Sequence, residues 1–221
     1  MVGAVLVVLA GYLIGGISAA YIAGRLLGGV DIREVGSRNV GASNVWQTVS
    51  RAAVVPVGLA DIAQTMLCIA IAKWTGQPLG IQVLAGLAAL IGHNWSPYLG
   101  LTGGRGVGPA IGFMLVLSWP GLGVFCGVSL AGVALGAVPQ SVGLGIAVAP
   151  FAALGKGQSP EIVAGLVVVA ALVLAKRLLT NQPGIPPGAE PRLVLLNRLL
   201  YDRDTRERES WVQRGPRQAG R

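Results

Sequence analysis

The chain has 221 residues, of which 53% are hydrophobic and only 12% charged, with a formal net charge of +8 and a mean hydropathy of +0.66. An average soluble domain carries roughly 25% charged residues, so a soluble core is excluded as the home of so much apolar surface. The composition predicts an all-α, polytopic membrane bundle of about seven helices, some of them short.

Apolar stretches begin near Val2, Ala52, Ile81, Val107, Gly121, Val142 and Ile162, each set off by Gly, Pro, charged or amide residues. The first, residues 2–23, is longer than a signal-peptide core and lacks a charged region ahead of it, which predicts a retained span. Residues 81–92 and 142–154 fall short of the ~20 residues that a bilayer core asks for. Short or glycine-broken spans are tolerated where they border a wet, protein-lined cavity. The chain holds 34 glycines, about twice the usual share. Those inside apolar stretches, among them Gly121, Gly123, Gly127, Gly132 and Gly136, predict close helix packing. Cys68 and Cys126 each sit in an apolar stretch and read as small packing residues, with neither a disulfide framework nor a metal site implied.

Seven crossings put residues 24–51, residues 93–106 and the tail after Ala175 on one side. Fifteen of the seventeen Lys and Arg residues fall there, with Lys73 and Lys156 opposite. That asymmetry predicts a cell (inner) membrane protein with its N-terminus outside and the polar loops and C-terminal tail in the cytoplasm. Ser159, Pro160 and Glu161 read as cap, first turn and dipole partner of the last span. Trp46, Trp74, Trp95, Tyr98 and Trp119 mostly flank helix ends, as in an interfacial belt. The predicted organisation is a transmembrane domain over residues 1–181, a Pro/Gly linker over 182–191 and a basic, partly helical tail over 192–221. In that tail Leu193, Leu196, Leu199 and Leu200 share one helical face ahead of the alternating charges of residues 203–209. The pattern suits either a solvated helix or an interfacial helix drawn to anionic lipid.

Two loops carry the residues suited to chemistry. The first reads Gly36-Ser37-Arg38-Asn39-Val40-Gly41-Ala42-Ser43-Asn44-Val45-Trp46-Gln47. Its glycines let backbone N–H groups turn toward an oxyanion, Ser and Asn add neutral donors, and Arg38 adds charge. Ser43 or Asn44 is placed to cap the following helix, whose N-terminus favours anions. The second runs from Gly92-His93-Asn94-Trp95-Ser96-Pro97 to Thr102-Gly103-Gly104-Arg105-Gly106-Val107-Gly108, with four glycines around one arginine ahead of an apolar helix. The spacing is not that of a Walker A loop. An ordinary polar turn is the plain alternative for each loop; both on one side of one membrane protein suggest a shared anion site. His93, the single histidine, reads as a helix-terminal residue or as a substrate-binding or proton-handling group. Asp61 lies inside an apolar stretch, where an acid is costly and a functional role is the default expectation. Neither a metal-ligand cluster nor a nucleic-acid signature is recognisable.

Together these residues resemble the bacterial acyl-phosphate:glycerol-3-phosphate acyltransferase family. Its first signature, Gly-Ser-Gly-Asn-(Val/Ile)-Gly-Ala-Thr-Asn-Val, is similar to Gly36 through Val45, and its second, Gly-His, an aromatic-Pro pair and Lys-Gly-Gly-Lys-Gly-Val, to Gly92-His93 through Val107. The resemblance implies a seven-helix enzyme that moves a fatty acyl group from acyl phosphate to the 1-hydroxyl of glycerol 3-phosphate, forming lysophosphatidic acid without a cofactor. It assigns catalysis to His93, Arg105 and Ser37. Substrate binding falls to Asn39, Gly41, Ser43, Asn44, Asp61, Gly103, Gly104 and Gly106.

The sequence departs from the family at several of its cationic positions. Gln47 replaces Arg, Gln64 and Thr102 replace Lys, and Arg105 stands for the second Lys of the second signature. Arg51, one helical turn beyond Gln47, is the nearest compensating charge in sequence. A third signature, His-Arg-x-Asn, is missing: aligned directly after the last span it falls on Lys176 and Leu179, and aligned later on Arg192 and Leu195, with Asn181 and Asn197 as neighbouring amides. Two rival readings fit the same chain: a catalytically silent family member acting as a partner or lipid sensor, and a transporter of a phosphorylated solute.

Overall fold

The computed structural model describes residues 1–181 and 184–206, and every regular element among them is helical. In chain order these are α1 (Val2–Gly15), α2 (Ala19–Gly28), α3 (Ala42–Thr48), α4 (Val54–Trp74), α5 (Leu79–Asn94), α6 (Val107–Leu117), α7 (Trp119–Ala134), α8 (Val138–Gly155), α9 (Pro160–Leu179) and α10 (Pro191–Tyr201). A single 3-10 turn, Pro97–Leu99, follows α5. α1 with α2, α4, α8 and α9 are long and apolar enough to cross a membrane, and α6 and α7 are shorter apolar helices. With α5, and with α1 and α2 taken together, these give seven apolar helical segments, in line with the expectation of about seven. Ser118, between α6 and α7, is hydrogen-bonded to Gln158, between α8 and α9, and Gln158 Nε2 donates to the Leu117 carbonyl at 3.0 Å. These two connections therefore share one end of the bundle. Residues 207–221, with the last of the alternating charges and Arg208, Arg214, Arg217 and Arg221, lie outside the described residues, as does Pro183 of the linker.

The bundle is held by two kinds of contact. Phe113, Met114, Leu90, Ile69, Ile146, Leu166 and Val173 form its main buried cluster. Between α1 and α5 the seam is made of small residues: a Cβ on Gly15 would collide with the Ala89 backbone, and one on Gly92 with the Tyr12 carbonyl. Backbones in such contact gain dispersion energy that bulkier side chains would forbid. Gly108 and Gly112 do the same for α6 against α4, where they meet Asp61 and Thr65. The expectation for α7 holds at Gly121, against Ser118, and at Gly132, against Ser141, but Gly123 and Gly127 face open space. Cys68 is buried as expected, whereas Cys126 is exposed on α7. Leu9, Leu59, Leu130, Leu144, Phe151 and Val167 also face outward, an apolar belt of the kind that lipid covers.

The first span is broken over residues 16–18, and the break positions the site. It frees carbonyls that an unbroken helix would use, and partners from other spans take them up. Ser96 Oγ donates to the Gly16 carbonyl at 2.7 Å and Gln64 Nε2 to the Ile17 carbonyl at 2.7 Å. Tyr12 Oη donates to the Trp95 carbonyl at 3.1 Å. The end of α5 is thereby tied to the end of the first span, which brings the two glycine-bearing loops side by side.

Candidate phosphate site

The first loop is shaped by one amide. Asn44 is fully buried; its Nδ2 donates to the carbonyls of Ile32, Val35 and Asn39 at 3.0 to 3.1 Å, and its Oδ1 accepts from the Ser37 N–H at 3.1 Å. Asn44 thus holds the loop through four hydrogen bonds. The turn it supports has Gly36 at φ +56° and Arg38 at φ +58°. A Cβ on Gly36 would run into Asn44 Oδ1, so only glycine fits. The Ser37 and Arg38 N–H groups are spent inside this turn, on Asn44 Oδ1 and on the Val35 carbonyl at 3.0 Å. The N-cap of α3 is Gly41, in extended conformation, rather than Ser43 or Asn44. Ser43 is exposed, Ser37 half-buried, and Asn39 buried with its Oδ1 unbonded among the described residues.

Asp31 anchors the start of this loop. Its carboxylate accepts from Arg25 Nη2 at 2.9 Å and from Arg33 Nη2 at 2.7 Å, and both guanidinium groups lie over the Tyr21 ring. The Arg33 hydrogen bonds hold the Asp31 carboxyl below the usual carboxylate range against the opposing effect of burial. Arg33 Nη1 also donates to the Leu99 carbonyl at 3.3 Å, reaching the second loop.

The second loop begins where α5 ends. The Ser96 carbonyl accepts from the Leu99 and Leu101 N–H groups, and Thr102 Oγ1 donates to the Leu99 carbonyl at 2.7 Å. Thr102 therefore closes a turn where the family has a lysine. The Gly104 N–H donates to the His93 carbonyl at 3.0 Å, and a Cβ on Gly104 would strike His93 Nε2. On the far side of the ring, His93 Nδ1 lies 3.6 Å from Asp61 Oδ1, both side chains being buried. Gly106, at φ +78°, then starts α6.

Asn181 joins the two loops. Its Nδ2 donates to the Gly103 carbonyl at 2.7 Å and to the Arg38 carbonyl at 3.3 Å, while its Oδ1 accepts from the Gly103 N–H at 3.2 Å. Beside it Arg105, buried, donates from Nη1 to the Lys176 carbonyl at 3.1 Å and pairs through Nε with Asp202 Oδ1 at 2.6 Å. Lys176 is buried too, its ammonium 5.0 Å from the centre of the Trp95 ring, an arrangement that favours a cation. Trp95 is thus part of the site and not of the interfacial belt, while Trp46, Trp74, Tyr98 and Trp119 remain exposed near helix ends.

Of the expected site residues, Ser37, Asn39, Gly103, Gly104, Arg105, Gly106, His93 and Asp61 fall in or against the two joined loops. Arg51 does not compensate for Gln47: α3 ends at Thr48, and Arg51 is exposed beyond it. Gln64 spends its amide on the broken first span. Lys176, Asn181 and Asp202 are additions. Lys176 and Asn181 carried a sequence signal, since the third signature aligned directly after the last span lands on Lys176 with Asn181 close behind. Asp202 carried none. Among the described residues, no three His, Cys, Asp or Glu side chains group as metal ligands.

A helical bundle whose two glycine-bearing loops meet beside buried Arg105, Lys176 and the His93–Asp61 pair defines the class: an integral membrane protein of several apolar helices. Residues 5–181 match the glycerol-3-phosphate acyltransferase family model. The chain is 36% identical over 199 residues to a glycerol-3-phosphate acyltransferase of Synechococcus sp. (strain CC9902), spanning 87% of this chain and 96% of that one. It is 30% identical over 216 residues to glycerol-3-phosphate acyltransferase 5 of Dehalococcoides mccartyi, spanning 95% and 93%. Its fold is similar to the crystal structure of PlsY (YgiH), an integral membrane glycerol 3-phosphate acyltransferase in its glycerol 3-phosphate form, with a TM-score of 0.69 and 28% identity over 79% of this chain and 88% of that one. The chain belongs to the glycerol-3-phosphate acyltransferase family.

Proposed function

We propose that this protein transfers a fatty acyl group from acyl phosphate to the 1-hydroxyl of glycerol 3-phosphate, with the loops and tail on the cytoplasmic side of the inner membrane. The observation that carries this reading is the Asn181 clasp, which sets the backbone of Gly103 against that of Arg38 beside Arg105 and Lys176. Two phosphates then have N–H groups, Ser37, Asn39 and two buried cations within one mouth. The skew of basic residues to the loop side supports the orientation.

The chemistry is acyl transfer by positioning and charge stabilisation. The glycerol oxygen attacks the acyl carbonyl carbon, the bond from that carbon to the phosphate oxygen breaks, and inorganic phosphate leaves. Arg105, Lys176 and the N–H groups of Arg105 and Gly106 stabilise the charge that develops on phosphate and carbonyl oxygens. Holding both substrates in one mouth supplies the effective concentration. His93, backed by Asp61 on Nδ1 and facing the second loop with Nε2, or a substrate phosphate oxygen accepts the hydroxyl proton. The acyl chain lies between spans and enters from the bilayer.

Purified protein in lipid mesophase with labelled glycerol 3-phosphate and palmitoyl phosphate tests the reading. Labelled lysophosphatidic acid is the expected product; none above an empty preparation overturns it.

A further inference from the structure

The amphipathic helix α10 is seated the wrong way round for a solvated helix. Val194, Asn197 and Arg198 are buried against the protein, while Leu193, Leu195, Leu196, Leu199 and Leu200 are exposed, Leu193 and Leu196 by about half. Its inward polar groups are fully engaged. Arg198 donates from Nη1 to the Leu178 carbonyl at 3.0 Å and from Nη2 to the Gly184 carbonyl at 2.8 Å, and its Nε pairs with Asp204 at 2.5 Å. In return Arg177 Nη1 donates to the Leu199 carbonyl at 3.0 Å.

This reciprocal pair fixes the depth of the helix. Leu178 and Arg177 belong to the last turn of α9, whose 20 residues at ~1.5 Å rise span about 30 Å, the thickness of the hydrocarbon layer. α10 therefore lies where the apolar layer gives way to headgroups. The neighbouring surface is apolar as well, with Leu179 at the end of α9 exposed. Arg192, at the start of α10, and Arg206, beyond its end, are exposed cations, the charge that suits an anionic headgroup layer. Five exposed leucines on one face favour apolar cover over water.

We propose that α10 is a membrane-surface helix: its leucine face seats in the acyl–headgroup boundary of the leaflet on the loop side, with anionic lipid as its partner. The helix ends at Asp202, whose carboxylate reaches Arg105, so the lipid seat also sets what stands beside the phosphate loops. The segment lies beyond the family-matched residues 5–181. Its seat depends on the embedding of α9 and not on acyl transfer.

The test uses the full chain in nanodiscs of phosphatidylglycerol and phosphatidylcholine, with Cys126→Ser to remove the exposed native thiol. A spin label at Leu196→Cys is compared with one at Glu190→Cys, the exposed residue ahead of the helix. The expected result is a ratio of oxygen to nickel-chelate accessibility several-fold higher at 196 than at 190, with the 196 label's depth moving outward in Leu193→Glu/Leu200→Glu. Equal, water-like accessibility at both sites overturns the proposal. Spin–spin broadening at 196 that vanishes on dilution with unlabelled protein overturns it as well, because a second copy then covers the face.

Discussion

Asn181 and Gly103 form a closed amide pair, in which the Gly103 N–H donates to Asn181 Oδ1 at 3.2 Å and Asn181 Nδ2 donates back to the Gly103 carbonyl at 2.7 Å. The same Nδ2 reaches the Arg38 carbonyl, so a single side chain sets the spacing of the two loops. Asn181→Asp keeps the acceptor but cannot donate to either carbonyl, and places a negative charge beside the phosphates. Its kcat/KM for glycerol 3-phosphate is expected to fall by about 10², with Asn181→Ala falling less. An unchanged steady-state assay of both variants contradicts the clasp.

The Arg105–Asp202 pair, at 2.6 Å, puts a carboxylate on the guanidinium that the proposed mechanism assigns to phosphate. Two anions competing for one guanidinium repel each other and weaken substrate binding. Asp202→Asn should lower KM for glycerol 3-phosphate several-fold with kcat kept, because the neutral amide leaves the cation unopposed. A raised KM in initial-rate measurements would instead make Asp202 a support for Arg105.

Loss of the cation itself has the larger effect. Arg105→Ala should reduce lysophosphatidic acid formation by about 10² to 10³, with Arg105→Lys recovering part of it as a point charge lacking the planar fork. Near-normal turnover in Arg105→Ala removes the residue from the mechanism.

Packing gives a prediction independent of activity. Gly92→Ala would push a methyl into the Tyr12 carbonyl, whereas Gly127→Ala meets nothing within 4 Å. The first should lose several degrees of Tm or fail to accumulate as monodisperse protein in detergent, and the second should match the parent. Equal behaviour in a thermal-shift assay refutes the small-residue seam.

Asp31 supplies a pH dependence. Its folded carboxyl binds protons less tightly than the unfolded one, because Arg33 stabilises the charged form. The stabilisation is therefore complete above the unfolded value of about 3.9 and is lost as pH falls through the lower folded value. At neutral pH Asp31→Asn should melt below the parent, and the gap should close in the acid range. A gap that stays constant down to acid pH excludes the ion pair as its source.

The membrane class, the all-helical fold and the two glycine-bearing loops were legible, because each rests on a local signal: apolar runs, glycine spacing, or a motif. What escaped depends on contacts distant in sequence. Gln64 and Thr102 read only as lost charges, although each bonds a particular carbonyl. The structural part played by Asn44 was not legible either; only the fold reveals three carbonyls converging on its amide. Lys176 was marked only by the alignment of the third signature, and its burial was not legible, since a cation that orients a protein and a cation buried over Trp95 look alike in sequence. The leucine face of α10 was visible, but its direction was not, because amphipathic periodicity says which residues share a side and not which side meets the protein.

That both loops grip the same substrate is tested most directly by a double-mutant cycle on kcat/KM with Ser37→Ala, Arg105→Ala and the double variant. Residues serving one anion site are expected to be coupled, the double variant losing less than the product of the single losses, by about 1 kcal/mol or more. Strict additivity would show that Ser37 and Arg105 act at separate places, contrary to a shared mouth.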